Sequence, residues 1–311
     1  MIHVVRKTAG QWGIRVPAQQ GEETRQALIG EGALDTSFKV LRQGDDLILP
    51  ITEEREGAEW FVFDLHPGRV PLPRHELVGG IAIMQDDDQD GAEVLLSSRP
   101  SLHTVVSALG EVSGEYRTRE FRVLAGEHVT RTQVIEHGHT FIVDLAGAYF
   151  SARLSTERQR LLRQAREGEV VLDMFAGVGP FAITLAKSAS LVVASDLNPM
   201  AIALMLENLE KNRVRNVLPL LADARHLGRV LPWKFDRVVM NLPLSGTEFL
   251  PEAFGLCRPG GAIHFYSLVS AEGEHAARIR KLGGTVLAER VVRSYSPAQW
   301  HAVYDIRAGE E

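Results

Sequence analysis

The stretch VVLDMFAGVGPFAITLA, residues 170–186, combines an apolar run, a carboxylate and closely spaced glycines. Gly177, Gly179 and Ala182 satisfy the pattern G-x-G-x-x-G/A, in which glycines let the backbone approach a ligand closely. The pattern predicts a nucleotide-binding loop between a strand and a helix. A tight turn without a ligand is the alternative, and the polar groups that end three further predicted strands count against it.

Those polar groups follow successive segments of one strand–helix pattern. Asp196 ends the second strand, 19 residues after Gly177, where a carboxylate accepts hydrogen bonds from ribose hydroxyls. Asp223 ends the third strand and is placed to accept from an adenine amino group. The tripeptide Asn241 to Pro243, NLP, ends the fourth strand. Because ligands of such sheets bind outside the carboxyl ends of the strands, these residues predict one adenosine-binding site.

The acidic residue before the glycine loop discriminates between two adenosine-containing ligands. Asp173 lies where the strand enters the loop, so it would repel the pyrophosphate of a nicotinamide dinucleotide. The same carboxylate would attract the sulfonium and ammonium groups of S-adenosyl-L-methionine. Asp173 therefore favours S-adenosyl-L-methionine, and an NAD-dependent oxidoreductase stays as the alternative.

The NLP tripeptide bears on the target of methyl transfer. The Asn241 amide can donate and accept hydrogen bonds at a planar, amide-like edge, and Pro243 offers an apolar face for stacking. Amino-group methylases use the related motif N-P-P-[YF], whereas Leu242 occupies the second position here and no aromatic residue follows at once. The departure weakens an exocyclic amine as the target and leaves a ring nitrogen open.

A ring N–H such as guanine N1 must lose its proton before it can attack a methyl group. That chemistry needs a general base, and a cation near the oxygen on which negative charge develops. Glu157 stands in the arginine-rich segment 151–166 and is the candidate base, although an ordinary helical pair with Arg160 is the alternative. Three nearby arginines could supply the cation: Arg117, Arg119 and Arg122.

From Glu169 onward, strands and helices alternate, which predicts a doubly wound, mostly parallel α/β sheet. The predicted strands are 170–175, 191–196, 217–223, 235–243, 260–268, 283–292 and 300–307. The predicted helices are 180–188, 199–212, 247–257 and 273–282. The last two strands are closely spaced and are expected to form an antiparallel pair at the sheet edge.

Two smaller α+β units are expected before this sheet. The predicted organisation is a small unit at 1–52, a linker at 53–70, a connecting domain at 71–154 and the α/β domain at 155–311. The small unit contains a strand at MIHVV, a helix near 22–30 and a strand at 46–51. The connecting domain contains a strand at 81–84, an acidic loop at 86–93 and a β-rich part at 116–150. A helix at 155–168 opens the α/β domain, with Ser155 as N-cap, Leu161 and Leu162 facing the core and its arginines facing outward.

Composition bounds the remaining possibilities. A net charge of −6 over 311 residues gives no overall attraction to nucleic acid, so any polyanion site must be a local patch. The single Cys257 excludes intramolecular disulfides and cysteine-rich zinc sites, suits the cytoplasm, and leaves no metal site expected. The N-terminus lacks the apolar core of a signal peptide, and the longest apolar run, 170–186, is too short and interrupted to span a membrane.

Three segments together resemble the archaeal and eukaryotic tRNA (guanine-37-N1)-methyltransferases: YFSARLSTER, VLDMFAGVGPFAI and VVMNLPLSGTEFL. The likeness runs from about residue 70 to the end, and GEETRQALIGEGALDTSFKVLRQGDDLILPI also looks like the small first domain of the archaeal form. The resemblance implies an α/β fold with a doubly wound, Rossmann-like methyltransferase domain. It also implies a tRNA substrate, contacted at the anticodon loop and, through residues 1–52, at the outer corner.

The resemblance also implies roles for individual residues. Glu157 is the general base, Arg117 steadies charge on guanine O6, and Tyr149 lies beside the target base held by Asn241 and Pro243. The cofactor positions are Asp173, Phe175, Gly177, Gly179, Asp196, Asp223 and Asn241. One departure is Gly246, where the family usually has alanine, which is expected to loosen the loop slightly.

Alternatives within and outside this family stay open. A wybutosine-pathway relative would transfer an aminocarboxypropyl group, or methylate the tricyclic precursor, at the same tRNA position. Asn241 favours methyl transfer, because that branch usually replaces the asparagine. A non-catalytic tRNA-binding protein is a further alternative, against which Glu157, Arg117 and Asn241 argue together. No membrane and no obligate protein partner are expected, and nothing demands a dimer.

Overall fold

The structure is a computed structural model, which describes residues 8–65, 72–114, 116, 118–296 and 298–309. The chain divides into two compact units, Met1–Leu72 and Pro73–Glu311. The strand expected at MIHVV and the side chain of Arg117 lie outside the described residues.

The first unit is an antiparallel sheet covered by one helix. Its elements are β1 (Thr8–Pro17), α1 (Gly21–Gly30), β2 (Leu41–Gln43), β3 (Asp46–Pro50) and β4 (Ala58–Asp64). The strand order is β2-β3-β1-β4. Its core is formed by Val16, Leu28, Ala33, Leu49 and Ile51. The helix and the strand expected near residues 22–30 and 46–51 are present, whereas β1 was not anticipated.

The expected linker at 53–70 differs from the structure. Strand β4 lies inside it and pairs with β1 from Ala58 opposite Ile14 to Asp64 opposite Thr8. The polar start of this segment hides an alternating pattern, in which Phe63 is buried while Trp60 and Val62 are exposed. One face of β4 therefore belongs to the first unit, which reaches Leu72.

The second unit begins with a sheet of order β5-β6-β7-β8. Its elements, with the hairpin that follows, are β5 (His75–Val78), β6 (Ile81–Met84), α2 (Gln89–Ser98), β7 (Thr104–Ser113), β8 (Thr118–Gly126), β9 (Arg131–Glu136) and β10 (His139–Asp144). Strands β9 and β10 pair with each other antiparallel. The strand at 81–84 and the β-rich part are thus confirmed.

The prediction of an acidic loop at 86–93 is wrong from Gln89 onward. Helix α2 begins at Gln89, and Asp88 is its N-cap, accepting a hydrogen bond from Gly91 N at 3.0 Å. Acidic groups at this end stabilise a helix, because they satisfy free amides and face the positive end of the helix dipole. The acidic run is therefore a helix start, followed by the buried Ala92 and Leu95.

The remainder of the second unit is the expected doubly wound sheet, of order β13-β12-β11-β14-β15-β17-β16. Its strands are β11 (Val170–Asp173), β12 (Leu191–Asp196), β13 (Val217–Leu221), β14 (Phe235–Met240), β15 (Cys257–Val269), β16 (Thr285–Ser296) and β17 (Gln299–Arg307). Its helices are α3 (Ser155–Gln164), α4 (Pro180–Leu185), α5 (Pro199–Lys211), α6 (Leu227–Val230), α7 (Leu250–Leu256) and α8 (Ala276–Lys281). The strands β11 to β15 pair in parallel, while β17 is antiparallel to both of its neighbours, β15 and β16.

Helix α3 corrects one part of the sequence prediction. It ends at Gln164 rather than 168, and Ser155 is its first residue rather than its N-cap. Arg158 and Arg160 are 2% and 6% exposed, so these arginines do not face outward. Both guanidinium groups are neutralised inside the protein by carboxylates distant in sequence, Arg158 by Glu136 and Arg160 in part by Asp305. Such partners cannot be read from helical periodicity.

Candidate active site

The carboxyl ends of the parallel strands bring the predicted polar groups to one edge of the sheet. Asp173 at the end of β11 pairs in register with Ala194 on β12 and with Val239 on β14. The glycine loop follows at once, with φ of 54° at Gly177 and 87° at Gly179, values that favour glycine. Helix α4 begins directly after Gly179. The strand–loop–helix predicted from the sequence is therefore present.

Asp196 fastens the glycine loop to the neighbouring strand. Its Oδ2 accepts a hydrogen bond from Gly177 N at 2.7 Å, and its Oδ1 accepts from Asn198 N at 2.9 Å. Burial raises the pKa of Asp196, and these amide hydrogen bonds oppose the rise. A carboxylate has about four lone-pair positions. Asp196 can therefore hold the loop and still accept from the hydroxyls of a ribose.

Asp173 is a buried carboxylate that lacks a side-chain partner. It is 0% exposed, and no side chain donates to either of its oxygens, which face only the backbone amides of Phe175 and Ala182. Burial, and then the charge of Asp196, raise the pKa of Asp173 to about 7, although the backbone amides of Phe175 and Ala182 oppose the rise. An unpaired buried charge is costly, so this position suits a cationic ligand. The orphaned oxygens of Asp173 fit the positively charged groups of S-adenosylmethionine and not an anionic pyrophosphate.

Two further cofactor positions, Asp223 and Phe175, lie at the same edge. Asp223 follows β13 and accepts hydrogen bonds from Arg225 N at 2.9 Å and Arg225 Nε at 3.0 Å. The Arg225 hydrogen bond is the largest cause of the lowered pKa of Asp223, so this carboxylate stays charged. Phe175 packs edge to face against Phe249, with ring centroids 5.1 Å apart. Its ring supplies an apolar wall after the loop entrance.

The NLP tripeptide is held by the next strand of the sheet. Leu268 N, on β15, donates to Pro243 O at 3.0 Å, and Gly246 N donates to Leu242 O at 2.7 Å. Asn241 Oδ1 is buried and has no hydrogen-bond partner. A rigid loop thus presents an amide oxygen whose hydrogen-bonding capacity is unused, as a site for a polar ligand edge requires.

Gly246, where the family resemblance implies alanine, packs closely against strand β15, and the expected loosening of the loop stays a prediction. A Cβ added there would lie 3.2 Å from Phe265 Cε2 and 3.5 Å from Tyr266 O. The position is buried, and its amide closes the turn with Leu242. Glycine at this position therefore allows close packing against β15.

Glu157, on the first turn of α3, is held by two buried donors. Its Oε2 accepts from Arg160 Nε at 2.8 Å and from Tyr266 Oη at 3.1 Å. The helical pair weighed for this glutamate in the sequence is thus present. Burial, and then the charge of Glu157, raise the pKa of Tyr266 well above its usual range, so the tyrosine stays a hydrogen-bond donor. Sequence reasoning missed Tyr266, because nothing in FYSL marks it apart from a buried strand residue.

Beyond Arg160, buried charges continue along the sheet. We name this set the polar column, and its members are Glu157, Arg160, Asp305, His264, Arg237 and Glu169. Arg160 Nη1 donates to Asp305 Oδ2 at 2.5 Å, and His264 Nδ1 donates to Asp305 Oδ1 at 2.7 Å. His264 Nε2 contacts Arg237, whose Nε donates to Glu169 Oε2 at 2.8 Å. Every member is 9% exposed or less. Sequence reasoning did not anticipate this column.

The segment before α3 borders the glycine loop. Tyr149 is 45% exposed, and its carbonyl oxygen would lie 3.4 Å from a Cβ at Gly177. Asn198 Nδ2 donates to Gly147 O at 2.8 Å, which fixes this segment to the end of β12. Of the two described arginines expected near the substrate oxygen, Arg122 pairs with Asp87, while Arg119 has a buried Nε without a partner.

A cavity of about 640 Å³ opens at the opposite, amino edge of the sheet. Its lining includes Glu169, Arg237 and Arg258, and it contains none of the residues predicted to bind cofactor or substrate. Within the described ranges, no group of three or more His, Cys, Asp and Glu side chains could hold a metal ion. No helix in the same ranges has the length and apolar character needed to cross a bilayer.

Comparison with known proteins places the whole chain beside tRNA-modifying enzymes. The TRM5/TYW2 methyltransferase domain matches residues 132–289, and the tRNA methyltransferase 5 N-terminal domain matches residues 13–59. The tRNA (guanine(37)-N(1))-methyltransferase Trm5b of Pyrococcus abyssi is 39% identical over 94% of this chain and 98% of its own. The solved complex of aTrm5 and tRNALeu has a TM-score of 0.81 and 30% identity, covering 96% of this chain and 99% of that one. The tRNA 4-demethylwyosine(37)-methyltransferase Taw21 of Saccharolobus solfataricus is 34% identical, but over 76% of this chain and 94% of its own.

Proposed function

The chain belongs to the TRM5/TYW2 methyltransferase family, and we propose that it methylates N1 of guanosine 37 in tRNA. The protein is an enzyme that uses S-adenosylmethionine and acts on tRNA. Within the family, we favour guanosine methylation because of how much of the chain matches each relative. The match to Trm5b spans both units, including residues 13–59, whereas the match to Taw21 covers 76% of the chain.

The carboxyl edge of the sheet supports the proposed cofactor site. When bound, S-adenosylmethionine supplies an electrophilic methyl group to the reaction. We assign Asp173 to the cationic part of the cofactor, because its oxygens are buried and unpaired. We assign Asp196 and Asp223 to the adenosine, and Phe175 to an apolar wall beside it. Gly177 and Gly179 allow the backbone to approach the cofactor closely.

The proposed chemistry at the target base is removal of the N1 proton by Glu157. Proton transfer to a positioned side chain typically accelerates a reaction by about 10²–10⁴-fold. Asn241 would hold the edge of the guanine and Pro243 its face, with Tyr149 beside the base. Arg117 would stabilise the charge that develops on O6, as the family resemblance implies. These roles are supported by a carboxylate, an unsatisfied amide and a rigid loop at the same sheet edge.

The experiment that tests this function maps the modified nucleotide directly. An unmodified tRNA transcript would be incubated with the protein and labelled S-adenosylmethionine, digested, and mapped by mass. The expected product is 1-methylguanosine at position 37, with no label in a transcript carrying adenosine there. Label elsewhere would contradict the assignment. A transcript carrying the tricyclic precursor would separate a wybutosine-type methylation from the proposed activity.

Glu157→Gln tests the proposed base. The single-turnover rate should fall on the order of 10²-fold or more, because the proton acceptor is lost. Affinity for S-adenosylmethionine should stay within about twofold, because no cofactor contact is assigned to Glu157 and glutamine keeps the size of the side chain. The matched control is Glu289→Gln, since Glu289 also accepts a hydrogen bond from a sheet tyrosine, Tyr304. Equal rates for wild type and Glu157→Gln would reject the base.

We further propose that the first unit checks the outer corner of the tRNA while the second binds the anticodon loop. A protein beginning at Pro73 would keep the cofactor site, since every proposed cofactor residue lies in the second unit. It should discriminate less between intact tRNA and an isolated anticodon stem-loop. Equal discrimination by the full and shortened proteins would reject this role. A cytoplasmic location and the lack of an obligate protein partner stay predictions.

A further inference from the structure

The carboxylate of Glu157 has one oxygen held and one oxygen open. Oε2 accepts hydrogen bonds from both Arg160 Nε and Tyr266 Oη. Within the part of the chain that the structure describes, no hydrogen bond reaches Oε1. Glu157 is 9% exposed, so water contributes little to its orientation. The two donors therefore decide which oxygen a substrate proton can meet.

We propose that Arg160 and Tyr266 are positioning residues, which keep Glu157 Oε2 occupied and so present Oε1 to the N1 proton of the target base. The inference rests on the proposed role of Glu157 as general base. Neither residue touches the substrate in this assignment, because both act through the carboxylate. A general base must lie within about 2.6–3.2 Å of the proton-bearing atom, so an error in its orientation lowers the rate.

Tyr266 also fixes the distance between the base and the loop that holds the substrate. Its hydroxyl donates to Glu157, and Leu268, two residues further along β15, donates its N–H to Pro243 O. A strand advances about 3.3 Å per residue, so the Cα atoms of Tyr266 and Leu268 lie about 7 Å apart on the same strand. The Tyr266 carbonyl also lies 3.5 Å from the Cβ position of Gly246. Strand β15 therefore holds Glu157 through Tyr266, and it holds the loop that binds the target nucleobase through Leu268.

Arg160 is itself fixed by the polar column. Its Nη1 donates to Asp305 Oδ2, while Asp305 Oδ1 accepts from His264 Nδ1. Burial lowers the pKa of His264, which keeps the ring neutral with its other nitrogen toward Arg237. Arg160 Nη2 has no partner. The planar guanidinium thus spans Glu157 and Asp305 in a fixed fork, a geometry that a lysine ammonium cannot reproduce.

The protein contains a matched pair for the experiment. Tyr304 Oη donates to Glu289 Oε1 at 2.7 Å, just as Tyr266 Oη donates to Glu157, and both tyrosines are 0% exposed. Tyr304 lies on β17, the strand next to β15. Tyr304→Phe therefore removes a comparable buried hydroxyl without touching the proposed site. Five proteins would be compared with wild type: Tyr266→Phe, Tyr304→Phe, Glu157→Gln, the Glu157→Gln/Tyr266→Phe double variant and Arg160→Lys.

The readouts are the single-turnover methylation rate at saturating tRNA and cofactor, the two dissociation constants and the thermal midpoint. Tyr266→Phe should lower the rate about tenfold, while both dissociation constants stay within about twofold, because only the orientation of the base changes. In the Glu157→Gln background the same substitution should alter the rate by less than about twofold, because its target is gone. Tyr304→Phe should match wild type in rate. Arg160→Lys should lower the rate further, on the order of 10²-fold.

Three results would overturn the inference. A Tyr266→Phe rate within about twofold of wild type would show that the hydroxyl positions nothing. A tenfold loss that persists in the Glu157→Gln background would show that Tyr266 acts through packing instead. If Glu157→Gln itself had the wild-type rate, the proposed base would fall as well. An inactive Glu157→Gln beside an unaffected Tyr266→Phe would overturn only the positioning role.

Discussion

Two buried aspartates in the same sheet have opposite surroundings. Asp305, in the polar column, has both oxygens hydrogen-bonded to Arg160, His264 and Gln164, and these contacts hold its pKa well below the usual range. Asp173, at the carboxyl edge, has no side-chain hydrogen-bond partner, and its pKa is raised to about 7. The contrast supports a structural role for Asp305 and the proposed ligand-binding role for Asp173, because a buried charge without partners is costly.

The same contrast distinguishes the two edges of the sheet. The cavity at the amino edge is lined by groups that already pair with one another, such as Arg237 with Glu169. The carboxyl edge carries the unsatisfied oxygens of Asp173 and Asn241. The cavity of about 640 Å³ therefore does not coincide with the predicted cofactor and substrate residues. The unsatisfied oxygens of Asp173 and Asn241 support the proposed site at the edge where the sequence motifs lie.

The largest expected effect comes from breaking the polar column. Arg237→Leu leaves Glu169 buried without its partner and removes the contact with His264. Removing one partner of a buried ion pair costs about 3–5 kcal/mol. The free energy of unfolding, measured by denaturant titration, should fall by that amount. Arg258→Leu, whose pair with Asp236 is half exposed, is the control and should change little. Equal losses would contradict the contrast.

Asp173→Asn should raise the stability of the cofactor-free protein, whereas Arg237→Leu lowers stability. The affinity for S-adenosylmethionine should fall on the order of tenfold or more, because the attraction to a cation is lost. The cofactor-free protein should become more stable above pH 7, because a buried unpaired charge is removed. Calorimetric binding and thermal unfolding at pH 8 measure both. A variant that binds as tightly as wild type would remove Asp173 from the cofactor site.

The pH dependence of stability and of cofactor affinity in the wild-type protein tests the same role of Asp173. The pKa of folded Asp173 is about 7, above the ordinary 3.8, so its contribution to stability is present at low pH and is lost as pH rises through 7. A cationic ligand favours the charged carboxylate, so cofactor affinity should rise with pH up to about 7 and then level off. Binding below pH 7 should release protons, measurable by calorimetry in buffers of different ionisation enthalpy. Asp173→Asn should abolish this release.

The smallest effect is expected at Gly246. An alanine there would bring Cβ to 3.2 Å from the buried Phe265 ring, so the loop or the ring must shift. We expect a loss of about 1 kcal/mol in the free energy of unfolding, typical of mild overpacking. Gly255→Ala is the control, because no atom lies within 4 Å of its Cβ position and alanine within helix α7 should raise stability, by about 1 kcal/mol at most. If both variants had wild-type stability, close packing at Gly246 would not matter.

Much of the α/β domain could be predicted from the sequence, because its strands are apolar and its turns carry glycine. Strand β12 at Leu191–Asp196 has the predicted bounds, and the antiparallel arrangement of the last two strands is confirmed. The burial of Arg158 and Arg160 could not be predicted, since their partners Glu136 and Asp305 are remote in sequence. Strand β4 and helix α2 were missed because polar residues at their starts resembled loops. Local patterns reveal elements and motifs, whereas charge pairing depends on the assembled fold.

The order of strands has a consequence during translation. Strand β17, Gln299–Arg307, lies between β15 and β16 although it follows both in the chain. A nascent chain therefore cannot complete this sheet until β17 has left the ribosome. The ion pair between Arg160 and Asp305 also cannot form before then. A product released early would expose two unpaired strand edges. We expect chaperones to bind such a product or proteases to degrade it, so that it does not persist as an enzyme of reduced activity.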